Sequence, residues 1–135
     1  MSKLLSTNYS DGAFNFGTLV LRLGVGCLLL PHGYDKLIHF AKYKGQFINF
    51  MGIGVTPSLS LTIFAEFFCS IFIILGFATR LAAIPPIIAM AVALLKAHNG
   101  DIFGKGEHAA LFMFGLIALL FTGPGKISVD GAIGK

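Results

Sequence analysis

Charge is what this chain has least of. Asp, Glu, Lys and Arg together make up 12% of 135 residues, against about 25% in an ordinary soluble domain. So little charge cannot coat a water-soluble globule of this size, so most of the surface must face lipid. Hydrophobic residues supply 56% of the chain and the mean hydropathy is +0.84. Strict alternation of apolar and polar residues is also missing. That excludes the strands of a membrane β-barrel, because the apolar runs here are long and continuous.

Other absences narrow the chemistry. The two cysteines, Cys27 and Cys69, stand in separate apolar runs and form no CxxC, so there is no local dithiol motif. They read as buried small hydrophobes, with a redox pair formed by contact between two helices as the alternative. No haem, flavin or iron–sulfur signature is present. There is no HExxH and no tight HxxxH, so although His32, Glu66, His98, Glu107 and His108 invite comparison with a metal site, none is expected. The net charge of +4 comes from cations that mostly flank apolar runs, as they do beside spanning helices. With no Lys/Arg-rich run, nucleic-acid binding is not expected. No cleavable signal peptide is evident, and the first helix is expected to be its own insertion signal.

What is present is a set of apolar runs of helical length, since a span needs roughly 20 mostly apolar residues. The reading is an all-α integral membrane bundle of four antiparallel helices, at about 14–34, 59–77, 81–97 and 107–122. A polar segment (1–12) precedes the membrane domain (13–125) and a tail (126–135) follows it. Pro85-Pro86 fall in the first turns of the third helix, where proline is best tolerated. The third and fourth helices are short for full spans, which predicts tilt, thinning or burial. Residues 46–51 (QFINFM) are expected in the interface. Basic residues divide almost evenly between the two faces, so orientation stays open.

Threading the four helices gathers polar residues at one face. The first helix delivers His32, Asp35 and Lys36. The second carries Glu66 about 10 Å below that face at 1.5 Å per residue. The third ends at Lys96 and His98, and the fourth begins at Glu107 and His108. His32 and Lys36 are i,i+4 and share a helix face, while Gly33 allows close approach of a neighbour. Glu66 is flanked by Ile-Phe-Ala and Phe-Phe-Cys. A carboxylate there is paired, protonated or functional. Arg22, about 12 Å inside the first helix, is one candidate partner for it. The expected site residues are therefore His32, Lys36, Glu66 and His98 for chemistry and Arg22, Gly33 and Glu107 for binding.

Four segments also carry a resemblance. LRLGVGCLLLPHGYDKL (21–37), AEFFCSIFIILGFATRLAA (65–83) with its Gly-x-x-Thr-Arg-Leu turn, KAHNGDIF (96–103) with Glu107, and GPGKISVD (123–130) together resemble the DoxX family in order and spacing. The resemblance implies a four-helix protein of the bacterial inner membrane. It also implies association with membrane oxidoreductase systems, through a partner subunit or as a homo-oligomer. With no cofactor of its own, the chain would draw electrons from a partner subunit or a bound reductant, and its pocket would take a quinone-like or other small apolar ligand. The alternative is a non-catalytic assembly or stabilising factor. A solute or proton pathway through Arg22 and Glu66 is a third reading, and it would need an oligomer.

Overall fold

The computed structural model describes residues 2–45, 52–97, 103, 104 and 106–134. Seven helices account for most of them: α1 (Ser2–Leu5), α2 (Asp11–Ile38), α3 (Phe40–Lys44), α4 (Val55–Leu75), α5 (Thr79–Val92, continued by a π-helical turn at Ala93–Ala97), α6 (Glu107–Thr122) and α7 (Val129–Ala132). No strand occurs among the described residues. Helices α2, α4 and α5 are long and apolar enough to cross a membrane, and α6 is a shorter apolar helix. The chain is an all-helical membrane bundle. The expected interfacial stretch 46–51, together with His98 and Lys105, lies outside the described residues.

Helix α2 starts earlier and ends later than apolar content alone predicts. At its start, Ser10 caps the helix by accepting from the Ala13 N–H at 3.1 Å, with Asp11 in the first turn, where a carboxylate favours the helix dipole. At its end it runs on to Ile38 through Pro31. Its buried residues are Thr18, Arg22, Val25, Gly26, Leu29 and Gly33, a stripe at three- and four-residue spacing that faces the bundle. Gly26 and Gly33 stand seven residues apart on that stripe and let α4 come close. A Cβ on Gly33 would lie 2.5 Å from the Phe67 N and 2.6 Å from the Glu66 carbonyl carbon. Only glycine permits that approach.

Helix α4 ends in a Schellman turn. The Gly76 N–H donates to the Ile73 carbonyl at 3.1 Å, the Phe77 N–H donates to the Phe72 carbonyl at 2.9 Å, and Gly76 adopts φ +73°. The short link to α5 makes the two helices antiparallel neighbours. Helix α5 carries Pro85 and Pro86 within it, and Ala82 and Ala83 on α5 and Ala109 and Ala110 on α6 are buried in one apolar cluster with Leu116 and Leu119. Small residues at such crossings bring helices close where the solvent is lipid. The outward faces are apolar as well: Leu81 is 71% exposed and Phe121 is 76% exposed.

Candidate functional site

The face that carries α1 and the α4–α5 turn is called proximal here, and the face where α2 ends and α6 begins is called distal. At the distal face the Lys36 ammonium donates to Glu66 Oε1 at 2.8 Å, with the two side chains 18% and 5% exposed. Glu66 therefore has a partner, and that partner is Lys36. The expected Arg22–Glu66 pair does not form. Gly33 packs on the Glu66–Phe67 backbone, and Arg22 sits eleven residues nearer the proximal face, about 16 Å along the axis.

Local backbone helps to set Glu66. It lies in a π-helical turn, Phe64–Phe68, a wide turn that recurs at functional sites and leaves helix carbonyls with altered partners. Here the Ser70 hydroxyl donates to the Glu66 carbonyl at 2.6 Å. A second π-helical turn, Ala93–Ala97, carries Lys96. Ionised residues in a span are costly unless paired, and the ion pair answers that cost for Glu66.

Around the pair are residues that span-counting passed over. The Tyr43 hydroxyl donates to Asp35 Oδ2, and Asp35 Oδ1 lies 3.0 Å from His39 Nδ1. Lys36 Nζ stands 6.0 Å from the centroid of the Tyr43 ring. The hydrogen bond to Asp35 raises the Tyr43 phenol above its ordinary value of 10.0, with desolvation and the negative charges of Asp35 and Glu66 adding to it. The only sequence signal for Tyr43 was its four-residue spacing from His39 and eight-residue spacing from Asp35 in a basic connector.

The remaining expected residues divide. His32 is exposed and its ring meets Phe112 of α6 edge-on at 5.9 Å, so it faces a different helix from the one Lys36 engages. Glu107 is exposed in the first turn of α6. His98 is outside the described residues. A separate apolar groove of about 460 Å³ lies between α4 and α5, lined by Phe64, Cys69, Phe72, Leu81, Ile84 and Pro85 among others. It offers space without charge.

The proximal face holds the other polar network. Arg22 is 1% exposed and donates to the Ile74 carbonyl at 3.4 Å and to the Ile127 carbonyl. This places a cation at the C-terminal end of α4, where the helix dipole favours it. The tail is thereby part of the bundle. The Lys126 N–H donates to Asn15 Oδ1 at 2.9 Å, the Ala78 N–H donates to Asp130 Oδ2 at 2.8 Å, and the Asp130 N–H donates to the Gly76 carbonyl at 3.1 Å.

With this geometry in place, the comparisons with known proteins give the family. The DoxX family model matches residues 17–99. The chain is similar to the uncharacterized membrane protein Rv3486 of Mycobacterium tuberculosis, at 31% identity over 87% of this chain and 81% of the relative. It is similar to the inner membrane protein YqjF of Escherichia coli, at 30% identity over 88% of this chain and 93% of the relative. A more distant likeness, 26% identity over 91% of each, is to a Bacillus subtilis protein named "Putative oxidoreductase CatD". No solved structure matches. The chain belongs to the DoxX family.

Proposed function

We propose that this DoxX-family chain is a subunit or accessory of an oxidoreductase system in the bacterial inner membrane, and that its distal face binds a quinone-like ligand. The observation that carries the reading is the Lys36–Glu66 pair, a cation and a carboxylate 2.8 Å apart at the distal edge of the bundle. Reduction of a quinone to its quinol takes up two electrons and two protons. Lys36 is suited to donate to a carbonyl oxygen and to stabilise the negative charge that develops there. Glu66 is suited to hold and release a proton, and His32, one turn before Lys36 on α2, is a further imidazole suited to proton exchange. Gly33 lets α2 and α4 approach closely at the level of Glu66. Electrons come from a partner subunit or a bound reductant. The wording of the CatD name supports the redox part of this reading and that of YqjF supports the location.

The test is purification in mild detergent followed by organic extraction and chromatography of any co-purifying quinone. The intact protein is expected to retain quinone, and the Glu66→Gln and His32→Ala proteins to lose it. Folded variants that retain as much ligand as the parent overturn the reading. A second reading, a non-catalytic assembly or stabilising factor, is supported by the proximal network, which ties the tail to α2 and to the α4–α5 turn. It predicts that Glu66→Gln and Arg22 substitutions lower stability alike without altering ligand content.

A further inference from the structure

The Lys36–Glu66 pair has a cover. The chain leaves α2 at His39, where φ −112° and ψ 37° break the helix. The His39 N–H still donates to the Asp35 carbonyl (3.0 Å) and the Tyr43 N–H to the His39 carbonyl (3.1 Å), so α3 follows α2 across a single kinked residue. Helix α3 packs against the start of α4, yet none of its residues is buried. Apolar burial does little to hold it there. What ties it down is polar: the Tyr43 hydroxyl on Asp35 Oδ2, with His39 on the other oxygen of the same carboxylate. The Tyr43 ring then stands beside the Lys36 ammonium, whose side chain is mostly covered, whereas Lys42 and Lys44 on the same helix are exposed.

We propose that α3 is a lid over the Lys36–Glu66 pair and that the Tyr43–Asp35 hydrogen bond is its latch. A segment held by one or two polar contacts and little apolar burial opens far more readily than a packed helix. The functional meaning of the lid rests on the reading of the pair as a ligand site: a ligand reaches Lys36 when the latch opens and is screened from water when it closes.

The test reads the lid without any ligand. The full-length protein in phospholipid nanodiscs is treated with sulfosuccinimidyl acetate, a membrane-impermeant amine reagent, and acetylation of each lysine is followed by mass spectrometry. Lys36 is expected to react more slowly than Lys42 and Lys44, and Lys44 serves as the internal standard. In Tyr43→Phe and Asp35→Asn the Lys36 rate is expected to rise roughly 3- to 10-fold, the weight of one hydrogen bond, with Lys44 unchanged. Lys36 rates unchanged in both variants overturn the latch. So does acceleration only in Glu66→Gln, because the ion pair alone would then be protecting the amine. A protein that retains no quinone but shows the latch effect refutes the ligand reading and leaves the lid standing.

Discussion

The two faces of this bundle use the same ingredients, a cation drawn into the bundle and backbone brought close by glycine, with different partners. At the proximal face the cation is Arg22, and what it meets is main chain: the Ile74 and Ile127 carbonyls. At the distal face the cation is Lys36, and what it meets is a side-chain carboxylate. A guanidinium is always charged and spreads its donors in a fixed fork, so it suits permanent joinery. An ammonium paired with a carboxylate can shift its proton and change its partner. The difference teaches that a buried charge in a membrane protein is not by itself a sign of chemistry. What decides is whether its partners can exchange.

That contrast can be broken by substitution, and the largest effect belongs to the proximal face. Arg22→Ala empties a fully enclosed volume and leaves two carbonyls without a donor, a loss of about 2–4 kcal/mol. Thermal unfolding in detergent should show it, with the tail becoming sensitive to protease. An Arg22→Ala protein as stable as the parent would mean that the tail is not clamped. Gly33→Val comes next, at about 1–3 kcal/mol, because its Cβ would meet the Glu66–Phe67 backbone at 2.5–2.6 Å. Since the clash pushes α4 away from α2, Lys36 acetylation should rise as well.

Glu66→Gln is expected to cost less, about 1–2 kcal/mol, because Lys36 retains a hydrogen-bond acceptor and partial access to water. Its main readout is ligand content, not unfolding. If it destabilises as much as Arg22→Ala, the two faces are alike and the distal pair is joinery too. The smallest effect concerns pH. The folded pKa of Tyr43 lies above its unfolded value, so its contact with Asp35 contributes fully below about pH 10 and is lost as pH rises through the folded value. Difference absorbance titration of the parent against Tyr43→Phe should place that phenol above the ordinary range, and Asp35→Asn should bring it down.

Much of the bundle was legible beforehand, for a simple reason. Backbone groups in lipid must be satisfied within their own segment, so apolar run length reports helix number almost directly. Glu66 was legible for the same reason, since a carboxylate between phenylalanines has few innocent explanations. Its partner was not. Arg22 and Lys36 fall almost in register on one face of α2, and sequence spacing alone does not say which of them meets α4 at the height of Glu66. The close contact of Gly33 with Glu66–Phe67 settles the height, and with it the choice of Lys36. Tyr43 was missed because a solvated connector and a short covering helix have the same composition. The docking of Asp130 on the Ala78 N–H was missed because the two are fifty-two residues apart.

The sequence by itself determined the solvent, the helices and the identity of the ionisable groups, because burial in lipid constrains each residue one at a time. Only the tertiary structure decided the pairing: Arg22 to the tail, Lys36 to Glu66, Tyr43 to Asp35. Pairing depends on the height at which two helices cross, and that height is set by contacts that no single segment contains.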